Sequence, residues 1–359
     1  MSLVALQERI RAAAERAAPL RLRGGGSKDF YGNEPRGEIL DTRDYAGIVS
    51  YEPTELVVTA RCGTALSVLE NTLKEKGQCL PFEPPHFGAA TVGGCVAAGL
   101  SGPRRASAGA LRDFLLGTKI VDGRGRVLSF GGQVMKNVAG YDVSRLLAGS
   151  LGTLGVICEV SLKVLPVAPA TATLRFSMSQ QEALDQLNVW GGQPLPLNAS
   201  AWWSDTLLVR LRGALAAVNA AIVAMGGELV DGTDVADFWR GLREHTDEYF
   251  VGAHRAVDAG AGRLWRLSVP QTAAPLALSG EQLIEWGGAQ RWLASSAPAS
   301  QVREAAARAG GHATLFKGVS KSAGVFAPLT PPLDRIHREL KKAFDPAGIF
   351  NPGRLYRDL

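Results

Sequence analysis

Apolar residues recur three and four positions apart at Leu3, Leu6 and Ile10, which predicts an amphipathic helix ending before Pro19. Leu20 to Arg23 then reads as a short strand running into a glycine loop, with further strands at residues 48–51 and 56–61. A helix follows, with Thr64 as N-cap, Leu66, Leu69 and Leu73 on one face, Glu70 paired to Lys74 and Gly77 past its end. Residues 79–82 read as another strand. Residues 84–109 are crowded with glycine and alanine and show little periodicity beyond a short helix near 92–99. Long loops of this kind are uncommon in compact domains unless they serve a site. Residues 118–121 and 127–130 form a hairpin around Asp-Gly-Arg-Gly, and "VICEVSLKVLP" after Gly155 alternates as a strand.

Beyond residue 170 the pattern changes. Strand-like "TATLRFS", helix-like "QQEALDQLNVW", strands at 199–203 and 207–212 and a helix at 214–225 make one set. A charged, aromatic helical region at 235–249 precedes a second set. It has strands at 264–269, 282–286 and 290–294, a helix at 299–309 and a strand at 312–316. Two such sets predict a ferredoxin-like α+β cap whose antiparallel sheet is covered by helices. The tail is a helix stopped by Asp345-Pro346, then an extended Asn-Pro-Gly segment. The whole is α+β, without the steady β-α-β-α alternation of a doubly wound sheet.

Composition narrows the class. With 359 residues, 46% hydrophobic and 20% charged, the chain is long enough for two domains with their own cores. Gln7, Glu8 and Arg9 interrupt the first apolar stretch before a signal-peptide core forms, and Glu8 and Glu15 argue against a transit peptide. No apolar run approaches the ~20 residues of a membrane span, so the expected location is cytoplasmic, with attachment to a membrane surface left open. Cys62, Cys79, Cys95 and Cys158 show no C-x-x-C spacing, which favours buried thiols over zinc or an iron–sulfur cluster. A net charge of +5 from scattered basic residues points to an anionic ligand or acidic partner rather than to nucleic acid.

The first glycine loop, "RLRGGGSKDFYG", fits neither a Walker loop nor a Rossmann fingerprint, because Lys28 follows Ser27 where a Walker loop has its second, spaced glycine, and no helix follows. Gly149, Gly152 and Gly155 only imitate a Rossmann spacing, since a strand comes after them. Successive backbone N–H groups in "GGGS" can instead form a nest around a diphosphate, with the Ser27 hydroxyl and the Lys28 charge adding donors. A plain surface turn is the competing reading of this loop taken by itself.

The loop is one of an ordered set: "RGGGSKDFYG", "TVGGCVAAGLSGPRR", "AGALRDFLLG", "GSLGTLGVICEVSLKVLP" and "AFDPAGIFNPGRL". Together they resemble flavoproteins of the vanillyl-alcohol oxidase and p-cresol methylhydroxylase type. "PFEPPHFG", "VMKNVAGYDVSRL", "EWGGAQRWL" and "GGHATLF" resemble, within it, the FAD-binding E subunits of bacterial glycolate oxidase (glycolate dehydrogenase) complexes. The resemblance implies a two-subdomain FAD-binding domain over residues 1–168, a cap over 169–318, and a tail, 319–359, returning to the first domain. It implies that Arg23, Gly24, Gly25, Gly26, Ser27 and Lys28 cradle the FAD diphosphate. Thr91, Gly93, Gly94, Ser101 and Gly102 would line the flavin and ribityl region, with Gly109 in a close turn beside it. Gly152, Gly155 and Val156 would pack on the cofactor through backbone. A side chain at Gly25 is expected to occupy the room of a phosphate oxygen.

Relatives that attach flavin covalently often use a histidine in or near the first loop; this loop has none, so the FAD is expected to be non-covalent. Relatives that oxidise 2-hydroxy acids carry a Glu-His-Gly run, and "GGHATLF" around His312 lacks both the Glu and the following Gly. His245 and His254 read as a solvated helix face. Arg291 and Lys136 are the cationic candidates for an acid substrate, with structural ion pairs or phosphate contacts as the alternative. Tyr141 is a candidate donor or a buried aromatic. No catalytic residue follows from these. The implied partners are a homologous FAD-containing catalytic subunit, an iron–sulfur subunit and a small 2-hydroxy acid, with the complex peripheral on the inner membrane face. A self-sufficient flavoenzyme and a flavin-stabilised structural subunit remain open at this point.

Overall fold

The computed structural model describes residues 2–132 and 141–359, and the chain divides into two compact units. One comprises Met1–Leu100, Ala110–Pro166 and Pro328–Leu359; the other comprises Ser101–Gly109 and Val167–Ala327.

The first unit is built on a five-stranded antiparallel sheet. Its order is Ile48–Glu52, Val57–Arg61, Val156–Lys163, Leu115–Val121 and Val127–Gly131. The central strand carries "VICEVSL" and is buried on both faces for most of its length, as an apolar run in the middle of a sheet requires. Helix Leu66–Glu75 buries Leu66, Leu69 and Leu73. Its N-cap is Ala65 rather than Thr64. The Thr64 hydroxyl is taken up by Gly47, whose N–H it accepts at 2.9 Å and whose carbonyl it reaches at 3.1 Å. Glu70 faces His86 Nε2 at 2.8 Å instead of Lys74. Of residues 79–82 only Cys79 pairs as strand, in the short ladder of Gln78–Cys79 with Leu165–Pro166.

Outside the large sheet, Leu20–Arg23 pairs in parallel with Glu38–Asp41, Leu20 opposite Glu38. The C-terminal tail closes onto this pair. Leu20 N–H donates to Ile349 O at 2.7 Å, Asn351 N–H to Leu20 O at 2.9 Å, and Leu22 N–H to Asn351 Oδ1 at 2.9 Å.

The second unit holds an eight-stranded antiparallel sheet. Its order is Glu228–Val230, Ala170–Ser177, Thr206–Gly213, Leu197–Trp203, Glu281–Glu285, Gln290–Ser295, Arg263–Ser268 and His312–Lys317. It consists of two strand-and-helix sets joined where Leu197–Trp203 meets Glu281–Glu285, with Trp202 opposite Ile284. Leu184, Leu187 and Trp190 of helix Gln180–Gly191 seal the first half; Val302, Ala305 and Ala306 of helix Ala299–Arg308 seal the second. Ser101–Gly109 belongs here, outside a contiguous division at residue 168. Ser107 Oγ donates to Asn198 O at 2.8 Å and Trp286 Nε1 donates to Gly102 O at 3.1 Å.

The helical stretch around 235–249 is two helices, Thr233–Glu244 and Glu248–Asp258. His245 ends the first in a left-handed conformation (φ +54°), and Asp247 caps the second by accepting Phe250 N–H at 3.2 Å. Burial pushes the Asp247 carboxyl up to about 6. That lies above the ~3.9 of an unfolded-chain aspartate. The linked stability is therefore present at low pH and lost as pH rises between those two values. Asp247→Asn keeps a capping oxygen without the buried charge. It is expected to raise Tm near neutral pH and to leave it unchanged at about pH 4, where the folded carboxyl is already neutral. Thermal melts at both pH values check this; an equal gain at both would rule out the buried carboxylate as its cause.

Candidate cofactor-binding site

The glycine loop leaves the strand Leu20–Arg23 with a basic face. Asp29 Oδ2 accepts from Arg21 Nη2 at 2.5 Å and from Arg23 Nε at 2.8 Å, so two guanidinium groups share one carboxylate. Lys28 Nζ, which adds a third positive charge, donates to His86 O at 3.1 Å and lies 5.4 Å from the centre of the Phe87 ring. The N–H groups of Gly25, Gly26 and Ser27 donate to no carbonyl among the described residues. Three such amides beside an excess of positive charge have the chemistry that suits a multiply charged oxyanion.

The loop cannot carry side chains where its glycines stand. A Cβ on Gly25 would lie 1.4 Å from Ala89 O, and one on Gly24 would lie 2.2 Å from Thr91 Oγ1. This corrects the expectation for Gly25. The direction of its missing side chain is filled by the backbone of the second glycine-rich segment, and no phosphate is needed to explain the glycine.

That second segment supplies the far side. Buried Thr91 caps helix Val92–Ala98, its Oγ1 accepting Gly94 N–H at 3.3 Å. The next two amides are spent on the fold: Val92 N–H donates to Thr64 O at 2.9 Å and Gly93 N–H to Cys62 O at 2.8 Å. Between the segments opens a narrow cleft of about 60 Å³. Arg23, Gly24, Gly93, Gly94, Gly152, Gly155 and Val156 line it. Gly152 has φ +72°, a backbone region that side chains rarely adopt, and a Cβ there would meet Asn351 Nδ2 at 2.8 Å. Cys62 also lines the cleft; burial pushes its thiol up to about 12, so it is neutral at physiological pH.

Ser101, Gly102 and Gly109 belong to the second unit. Arg291 is 1% exposed and donates to the carbonyls of Gly288 at 3.1 Å and Ala274 at 2.8 Å, and to that of Ala273. Its guanidinium is committed to holding a turn, so it is not a free cation for an acid. Tyr141 is 95% exposed rather than buried, and His312 is exposed at the start of its strand. Lys136 lies outside the described residues. His245 is not on a solvated face: its ring stacks on Phe250 at 3.6 Å, with Trp292 edge-on at 4.8 Å.

Two site-building residues come from the tail. Asn351, which lines the cleft, accepts Leu22 N–H and donates its Nδ2 to Leu151 O at 2.6 Å. Arg354, 6% exposed, donates to Asp29 O at 2.8 Å, Lys28 O at 3.3 Å and Asn33 O, gripping the back of the glycine loop. The sequence signal for both was the extended Asn-Pro-Gly-Arg run, whose partners lie two hundred residues or more earlier.

Comparison with known proteins places this geometry. Residues 2–131 match the family described as "FAD binding domain". The chain is 49% identical over 356 residues to the glycolate oxidase subunit GlcE of Escherichia coli, covering 99% of this chain and 97% of that protein. The chain belongs to the GlcE family. This chain is also similar to the glycolate oxidase subunit GlcD of Bacillus subtilis, at 30% identity over 163 residues, 45% of this chain and 35% of that one. The fold is shared with alkyldihydroxyacetonephosphate synthase, with a TM-score of 0.67 at 16% identity, over 96% of this chain and 73% of that one. This member of the GlcE family therefore carries an FAD-binding domain with a second α+β unit. Among the described residues no helix is long and apolar enough to cross a membrane, and no group of three or more His, Cys, Asp or Glu is placed to hold a metal ion.

Proposed function

We propose that this chain is the FAD-binding subunit of a glycolate oxidase (dehydrogenase) complex, in which it works with a GlcD-type FAD subunit and an iron–sulfur subunit at the inner membrane surface. The observation that carries this reading is the match to GlcE along nearly the full length of both chains.

In this reading the amides of Gly25, Gly26 and Ser27, with Arg23 and Lys28, hold the FAD diphosphate non-covalently. Gly93, Gly94, Gly152, Gly155 and Val156 form a side-chain-free wall for the remainder of the cofactor. Bound FAD supplies a two-electron acceptor for the hydride of a 2-hydroxy acid. Oxidising such an acid further requires a base for the hydroxyl proton and a cation for the carboxylate. Among the described residues that line the cleft none is a carboxylate or an imidazole, and the cation there, Arg23, is paired with Asp29. This favours a division of labour in which the substrate is oxidised on the partner FAD subunit.

The test is anaerobic mixing of the isolated holoprotein with glycolate while the visible flavin band is followed. The band is expected to persist with this chain alone and to bleach once a GlcD-type subunit is added. Rapid bleaching of the isolated monomer would instead make it a self-sufficient dehydrogenase.

A further inference from the structure

Helix Pro331–Phe344 is strongly two-faced, yet none of its residues is buried. Every other described helix of ten residues or more buries at least two. Leu333, Ile336, Leu340 and Ala343 recur three and four positions apart and so form one row along the helix. Leu333 is 47% and Ile336 52% exposed, Ala343 is exposed and Leu340 half-buried. Helices in proteins draw most of their stability from packing such a row against a core. Here the core stops short of it.

The helix is pinned by polar bonds on a different side, so the row cannot roll inward. Lys341 Nζ donates to Thr153 O at 2.9 Å, to Phe350 O at 2.8 Å and to Asp345 Oδ2 at 2.6 Å. Arg338 pairs with Asp334 at 2.9 Å and with Asp358. Phe344 O accepts Gly123 N–H at 2.8 Å. All of these partners belong to the first unit.

Exposed cations edge the row. Arg335 and Lys342 form no ion pair among the described residues. Arg124 Nη1 donates to Ala343 O at 2.9 Å, at the end of the row, and has no carboxylate partner among them either. Against these three charges the helix sets Glu339, since its other acid, Asp334, is taken by Arg338. An aliphatic row edged by Arg and Lys, on a helix of polar overall composition, suits a lipid–water interface, with the row among the acyl chains. Anionic headgroups then attract each cation. A specific protein interface needs roughly 20–30 residues a side, with charge depleted at its centre. Four side chains edged by cations fall short of that.

We propose that helix Pro331–Phe344 is a membrane-surface contact of this chain, its Leu333, Ile336 and Leu340 row entering an anionic lipid leaflet. The proposal rests on the reading above for its setting at a membrane, and gives this subunit a lipid contact of its own. Holoprotein, with its flavin bound, is sedimented with vesicles of phosphatidylcholine alone and of an equimolar mixture with phosphatidylglycerol. Saturable binding to the mixture is expected, weaker on the neutral vesicles and falling as salt is raised. Leu333→Gln with Ile336→Gln should weaken it at least about tenfold. Arg335→Glu with Lys342→Glu should abolish the preference for the anionic vesicles. Val4→Gln, at an exposed aliphatic position of helix Leu3–Glu15, should change nothing. Flavin content and melting temperature report folding, and Ile336→Gln alone carries the comparison if the double variant does not fold. No saturable binding to the mixed vesicles, or an unchanged affinity in the folded glutamine variant, would overturn the proposal. So would a dimer in place of vesicle binding that the same variant dissociates, because a second copy would then cover the row. No substrate enters this assay, so its failure leaves the result of the glycolate mixing untouched, and the reverse holds too.

Discussion

Gly25→Ala is expected to yield a folded protein that purifies almost free of flavin. The backbone of Gly25 is not left-handed, so an alanine is locally permitted. The obstacle is Ala89 O, which stands 1.4 Å from the position of the new Cβ. A carbon atom there needs about 3 Å or more from a carbonyl oxygen, so the two glycine-rich segments must move apart by more than an ångström. The amides of Gly26 and Ser27 move with the loop, and a diphosphate grip depends on donors held to within about half an ångström. Flavin released by acid precipitation, measured per mole of chain, should fall from near one to near zero, while the second unit keeps its secondary structure. Wild-type flavin content in Gly25→Ala would remove the loop from the cofactor site.

Arg354→Met should act on the same loop from behind and chiefly through stability. The guanidinium is buried, and burial pushes its pKa down to about 10, which still leaves it charged at neutral pH. Its loss removes the side-chain donor from the carbonyls of Asp29 and Asn33 and leaves that of Lys28 to the N–H of Tyr31. Breaking a charged, buried donor set of this size costs on the order of 3 kcal/mol. A fall in Tm of several degrees and a weakened affinity for FAD are expected. Saturating FAD should restore much of that Tm by mass action, whereas it should do little for Gly25→Ala, whose site is misbuilt. A melting temperature within a degree of wild type would show that the tail does not support the loop.

The elements read from sequence and those found differ for physical reasons that particular residues make plain. Leu20–Arg23 was legible because it alternates into a glycine loop; its partner Glu38–Asp41 was not, since "EILD" has too few residues to show a period. The strands and helices of the second unit were legible almost throughout, and the short edge strand Glu228–Val230 was missed. Thr64 reads as a helix cap by residue type, but a cap is decided by where the chain turns, and Gly47 takes the hydroxyl first. His245 and Arg291 were misread for one reason. Each is surrounded by groups from distant strands and turns, such as Trp292 and Phe316 for the first and the 273–274 carbonyls for the second. No local pattern records such neighbours. In the cleft the glycines were visible as glycines, but what fills the space beside them was not.

The pairing of Leu20 with Ile349 and Asn351 also fixes when the site can exist during synthesis. The strand that carries the glycine loop is made more than three hundred residues before the segment that pins it. Contacts of such long sequence separation form late, after the loop-closure entropy has been overcome. The glycine loop is therefore expected to be pinned only after both segments have been made. A chain cut before Ile349 lacks this clasp and is expected to hold flavin more weakly.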